Sequence, residues 1–276
     1  MASIYKWLNN KKRLSIYLTT FSNFSKAVVL YFATIFLYKI DNSGASSGFL
    51  VLLGLLAVSL SGMIAPFLII HFKGFKLGIL LSMVSLVAEF LFFIFYQQKI
   101  PLYCCIVVIN LIQGIESANY NYELVDIFEN DVEDQIQSNN GYHILLQTFT
   151  LIAPILGYLL VNYCIVLASC VVVLFLQLVA LIAWFILKKY EPLNKSNVDI
   201  PKYPFKNYLL AIKNKNVVFL NLVRSANGFV FNTWEIAAPM VIMAIAENQA
   251  QLSSKIQTTY ETTLSIAFIL SGAFLG

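Results

Sequence analysis

The chain has 276 residues, 59% of them hydrophobic and only 12% charged, with a mean hydropathy of +0.76, whereas a soluble domain carries roughly a quarter charged residues. That balance excludes a water-soluble enzyme, a secreted disulfide scaffold and a nucleic-acid module. The net charge of +4 is small and its lysines gather at the ends of apolar runs, which is a topology signal rather than an affinity for nucleic acid.

A helix needs about 20 apolar residues to cross hydrocarbon about 30 Å thick. On that measure the first span runs from Leu14 to Leu37, behind the basic cluster Lys6, Lys11, Lys12 and Arg13. It is too long for the apolar core of a signal peptide and lacks a small-residue cleavage site. Further spans run from Ser47 to Ile70, Leu77 to Tyr96 and Pro101 to Tyr120. After an acidic stretch, 121–142, come Ile144 to Val161 and Tyr163 to Leu187. A charged linker with Pro192, Pro201 and Pro204 leads to a seventh span, Val217 to Ala246, and Thr262 to Gly276 reads as an eighth cut off partway.

Runs of this length predict helices, since membrane β-strands are about half as long. The expectation is an all-α polytopic membrane protein: a six-helix half over 1–187, a cytoplasmic basic linker over 188–216, and the opening of a second half over 217–276. Thirteen of the 18 Lys and Arg residues fall on one side if the N-terminus is cytoplasmic, so that orientation is expected. Short loops predict that consecutive helices are antiparallel neighbours. The cysteines Cys104, Cys105, Cys164 and Cys170 lie in apolar stretches with no ligand spacing, so no metal and no disulfide is expected.

Ionisable side chains at membrane depth cost about 2.5–3.5 kcal/mol each and mark functional positions. Lys26 lies near the middle of span one, where Thr19, Ser22, Asn23, Lys26 and Thr34 share a broad face expected to line an aqueous cavity. Glu89 is near the middle of span three. Glu116 lies toward the cytoplasmic end of span four, within snorkelling reach of the interface. Either acid is a candidate counter-ion for Lys26. In span seven Arg224 and Glu235 are eleven residues apart, so they share a face with a rise of roughly 16 Å. Asn227 and Asn232 flank that stripe. Glu89, Glu116 or Glu235 would carry a proton or attract a cation, while Lys26 and Arg224 would hold the carboxylates ionised or bind an anionic group. The opposing reading is that these are structural pairs fixing helix packing.

The layout resembles the major facilitator superfamily, and within it the bacterial drug and macrolide efflux branch. In the loop between spans two and three, Phe67, His71, Phe72, Gly74, Phe75 and Lys76 occupy the positions of that family's loop motif, and Gly74 and Lys76 match it. Gln113 stands where span four of the family often has Arg, with Glu116 three residues on. The stretch from Glu133 to Tyr142 is similar to the acidic segment that opens span five in the efflux branch. Ala153-Pro154-Ile155-Leu156-Gly157 is similar to the Gly-Pro motif of its exporters, in which Pro removes a backbone hydrogen bond and Gly admits a neighbouring helix.

This resemblance implies a secondary active carrier in the bacterial plasma membrane that binds its substrate near the bilayer midplane. Proton-coupled efflux of a small amphipathic or drug-like compound is the expected function, with cavity-lining helices one and seven, no cofactor and a monomeric state. Gly74, Lys76, Pro154 and Gly157 are its gating and packing candidates. The partners expected are a small-molecule substrate, protons and the lipid bilayer. No phosphate-binding loop and no His-Glu-x-x-His occurs, so neither ATP use nor an enzyme is expected. The alternatives are a non-transporting membrane interaction or immunity-type protein, or an inactive truncated carrier.

Overall fold

A computed structural model of the protein describes residues 2–41, 44–72, 74–128 and 132–190, together with Lys215, Asn216, Phe219, Ile256 and Thr259. The expected linker beyond Tyr190 and the expected seventh and eighth spans lie outside the described residues but for Lys215, Asn216 and Phe219. Six helices carry the fold: α1 (Ala2–Asp41), α2 (Gly44–Phe72), α3 (Gly74–Ile94), α4 (Lys99–Ile127), α5 (Val132–Tyr163) and α6 (Val166–Lys188). Each contains a segment long and apolar enough to cross a membrane, and among the described residues there is no strand. In hydrocarbon the helix satisfies every backbone group within its own segment, so runs of this composition have no competing conformation.

The helices are built inside out relative to a soluble bundle. The outward face of α3 is Leu80, Met83, Val84, Val87, Phe90 and Ile94, all exposed, while its inward face holds Ser82, Ser85 and Glu89. On α6 the exposed residues include Val171, Phe175, Leu178, Ile182 and Phe185, and Gln177 is buried. A bundle that shows its aliphatic and aromatic residues outward and keeps its polar ones inside is stable only where the surroundings are apolar. The chain is a multi-pass membrane protein.

Two of the expectations are corrected. The acidic stretch 121–142 is almost entirely helical, because α4 continues to Ile127 and α5 begins at Val132. Its charge lies on helix on both sides of the connection between α4 and α5. Glu133 and Asp134 sit in the first turn of α5, where carboxylates are favoured by the helix dipole. The corner between the two helices is held by α1: Arg13 forms an ion pair with Asp134, and Lys12 Nζ donates to the Ile127 carbonyl over 3.3 Å at the end of α4. Lys12 also lies 5.8 Å from the centre of the Phe128 ring. Arg13→Ala is expected to cost no more than about 1 kcal/mol, since the pair is partly solvated, and to speed hydrogen exchange at the amides of Phe128 and Asp134; exchange unchanged there would show that these helix ends stand without α1.

The second correction concerns neighbours. Of the consecutive pairs among the described helices, α3 and α4 pack extensively and the others do not. Instead α1 packs chiefly against α5 and α6, α4 chiefly against α2 and α3, and α3 also against α6. A short loop joins helices at one end only, and shape decides what lies along their length. Exchanging α1–α3 for α4–α6 maps this set of pairings onto itself. With one crossing per helix, α1 and α4 run in opposite directions, so the six helices form two inverted three-helix units.

The interior is layered. One apolar cluster gathers Phe32, Phe36, Phe92, Phe93, Leu102 and Ile106 where α1 and α3 end and α4 begins. At the opposite end a second contains Ile16, Phe75, Tyr120, Leu124, Tyr142 and Trp184. Helix α1 runs through both, and an 18-residue stretch of its span is 78% buried, against 22% for the corresponding stretches of α2 and α5. Polar side chains lie between the clusters.

Candidate functional site

Helix α1 brings Ser22, Ser25 and Lys26 to this layer, separated by one turn or less. Lys26 is fully buried and forms an ion pair with Glu116 of α4, which is 5% exposed. Ser22 closes a triangle: Lys26 Nζ donates to Ser22 Oγ over 2.9 Å, and Ser22 Oγ donates to Glu116 Oε2 over 2.9 Å. The other oxygen, Glu116 Oε1, is buried and finds no hydrogen-bond partner among the described residues. The expectation that Glu116 snorkels to the interface is therefore corrected. Its carboxylate turns inward because an ammonium and a hydroxyl meet it there.

Glu89 of α3, the other candidate partner of Lys26, is fully buried but stands on a different set of contacts. Its Oε1 accepts from Ser25 Oγ at 2.8 Å and lies 3.2 Å from Ser85 Oγ. Ser25 Oγ is also 3.0 Å from Oε1 of the buried Gln177 on α6, whose Nε2 donates to the Ser82 carbonyl over 3.2 Å. A hydrogen-bonded cluster thus ties α1, α3 and α6 together beside the ion pair.

The rest of the polar face of α1 divides. Thr19 and Thr34 donate back to the carbonyls of Ile16 and Tyr31, at 2.6 and 2.8 Å. Asn23 donates to the Tyr142 hydroxyl over 3.3 Å, and Tyr142 of α5 stacks on Tyr120 of α4 with ring centres 3.6 Å apart. The face expected to line an aqueous cavity is packed against α4 and α5.

At the turn between α2 and α3, the Gly74 carbonyl accepts from Asn119 Nδ2 over 3.0 Å, and a Cβ on Gly74 would collide with the Glu123 carboxylate. The absent side chain is what lets the turn dock on α4; Lys76 is exposed. Pro154 and Gly157 are buried within α5, and Gly157 receives the ring of Tyr31. Gln113 is half-buried on α4. The candidates Arg224, Asn227, Asn232 and Glu235 lie outside the described residues.

Lys26 and Glu116 are brought together, and Glu89 is set next to them. Ser25, Ser85, Gln177 and Tyr142 were not among the sequence candidates. Two signals could have found Ser85 and Gln177: Ser82, Ser85 and Glu89 share a face of α3, and Gln177 interrupts an otherwise apolar α6.

No family model matches the chain, and no curated protein matches it. Among solved structures it is similar to a mutant form of the peptide transporter POT, with a TM-score of 0.50 and 15% sequence identity, covering 84% of this chain and 52% of that one. The chain spans about half the length of the transporter it matches. The likeness is one of fold, and together with the six apolar helices it defines an all-α bundle of the major facilitator type.

Proposed function

We propose that the protein is a secondary active transporter that moves a small amphipathic compound across the bacterial plasma membrane by alternating access, exporting it in exchange for protons. Its N-terminus is cytoplasmic, and residues 188–216 link the described bundle to the first helices of a second half. The observation that carries this reading is the buried Lys26–Glu116 pair between the two inverted units. A charge pair at membrane depth is expensive to keep and adds little stability relative to apolar packing, so it is retained for what it does. A substrate bearing a charged group competes with one partner for the other, and the released member then holds the substrate between the halves. The likeness of fold to a peptide transporter makes short peptides a second substrate class to screen alongside amphipathic dyes.

The test is flux in proteoliposomes carrying the full gene product, with an imposed pH gradient and a panel of dyes and di- and tripeptides. Gradient-driven flux is expected for at least one compound and is expected to collapse with a protonophore. The double variant Lys26→Met with Glu116→Gln removes the charges together and leaves none unpaired. It is expected to lower flux at least tenfold while remaining folded. Full flux in the double variant removes the pair from the mechanism, and flux indifferent to the protonophore removes proton coupling.

A further inference from the structure

We infer that Glu89, Ser25, Ser85 and Gln177 form a proton-binding site across α1, α3 and α6, separate from the Lys26–Glu116 pair. Counting protons leads to it. The Ser25 hydroxyl has a single hydrogen, yet its oxygen lies 2.8 Å from Glu89 Oε1, 3.0 Å from Gln177 Oε1 and 3.0 Å from the Ser22 carbonyl. The orientation of the Gln177 amide is fixed by its other end, since Nε2 donates to the Ser82 carbonyl, so Oε1 is the atom turned toward Ser25. Two buried acceptors on different helices therefore share one donor.

With Glu89 ionised the cluster is short of hydrogens. If Ser25 donates to Glu89, Gln177 Oε1 is left without its donor; if it donates to Gln177, Glu89 keeps only Ser85. In both cases Glu89 Oε2 is buried with no hydrogen bond among the described residues. Among the described residues no cation forms an ion pair with it. The charged neighbours are Lys26 on α1 and Glu116 on α4, which are engaged with each other, and the titratable group facing Glu89 from α6 is the Cys170 thiol. An unpaired carboxylate in such surroundings is among the most costly groups a protein can bury.

One added proton on Glu89 Oε1 supplies the missing hydrogen between Glu89, Ser25 and Gln177 and removes the charge, so that Oε2 is buried as a neutral carbonyl oxygen rather than as half of a carboxylate. Glu89 then donates to Ser25, Ser25 donates to Gln177, and Gln177 donates to the Ser82 carbonyl, so every hydrogen has one acceptor and the chain runs in one direction from α3 through α1 to α6. Loss of the proton turns the Ser25 hydroxyl back to Glu89 and breaks its bond to Gln177, loosening α1 from α6. Ser25 is next to Lys26 and within hydrogen-bond distance of the Ser22 carbonyl, so the switch acts on the helix that carries the ion pair. Its role in driving transport rests on the carrier reading above; the proton site itself does not.

Infrared spectroscopy of the full gene product in detergent tests the site without any flux. At neutral pH the wild type is expected to show the carbonyl stretch of a protonated, buried carboxylic acid. The band is expected to be lost in Glu89→Gln, kept in Glu116→Gln, and moved to higher frequency in Ser25→Ala, where the acid has lost its acceptor. Should Glu89→Gln not fold, the Ser25→Ala shift decides alone. A wild type without the band, or a band that survives Glu89→Gln, overturns the proposal. So does a band that disappears when sodium chloride replaces choline chloride, which assigns the oxygen cluster to sodium. Vesicles that carry no flux while the band behaves as described would remove the carrier reading and leave the proton site standing.

Discussion

Lys26→Met is expected to destabilise the protein by about 3–5 kcal/mol, because it strands the Glu116 carboxylate in the interior with the Ser22 hydroxyl as its one remaining hydrogen-bond donor among the described residues. In a chain of this size that corresponds to a fall in Tm on the order of 10 °C. The magnitude does not come from the strength of the ion pair. It comes from the buried charge that remains when its partner is removed, and this has a diagnostic consequence. The double variant Lys26→Met with Glu116→Gln is expected to recover most of the loss, since no charge is then left behind. Thermal unfolding of the wild type, both single variants and the double variant closes a cycle whose coupling reports the interaction. Single losses that merely add in the double variant would mean that the two side chains do not depend on each other. The same four proteins serve the flux measurement, so a variant that folds but does not transport is separated from one that does not fold.

Much of this arrangement is legible in the residues. Lys26, Glu89 and Glu116 stand out because each interrupts an apolar run, and a helical wheel places Ser22 and Lys26 on one face. A wheel gives direction around one helix axis and says nothing about which helix lies in that direction. The choice of Glu116 over Glu89 as the partner of Lys26 depends on α1 and α4 meeting between the two inverted units, which is a property of the whole bundle. Ser25 and Ser85 escape a reading by hydropathy for a different reason. A hydroxyl barely lowers the hydropathy of a helix and is normally satisfied by the carbonyl one turn back, as Thr19 and Thr34 are here. Nothing in a sequence distinguishes such a residue from one that reaches across to another helix.

The acidic stretch shows the converse error. Glu123, Glu133 and Asp134 read as a loop because apolar content was used to set helix length, but a helix is held by its backbone hydrogen bonds and continues wherever those are made. Here it continues past the span: Glu123 is buried against the Gly74 turn, and Asp134 pairs with Arg13. Apolar content locates only part of each helix: α4 and α5 run beyond the apolar segments 101–120 and 144–161 read from the sequence.

The Pro154–Gly157 segment separates a local reading from a packing one. As a bend signal the two residues would act through the backbone of α5 alone. The structure gives Gly157 a specific neighbour, since a Cβ there would lie 2.5 Å from Cδ1 of Tyr31, a buried ring on α1. Gly62 of α2, by contrast, has nothing within 4 Å of the corresponding point. The same substitution therefore has opposite expected signs at the two positions. Gly62→Ala gains helix propensity and is expected to stabilise by up to about 1 kcal/mol. Gly157→Ala gains the same propensity but forces Tyr31 against its surroundings, with overpacking of about 1–3 kcal/mol, so the net change is a loss. Adding Tyr31→Leu to Gly157→Ala is expected to return part of that loss, because a smaller and more flexible side chain gives way, whereas Tyr31→Leu with the native glycine leaves a gap and destabilises. If thermal unfolding shows the two glycine variants moving in the same direction, α5 does not rest on α1 through Tyr31, and the close approach that sets Asn23 against Tyr142 loses its support.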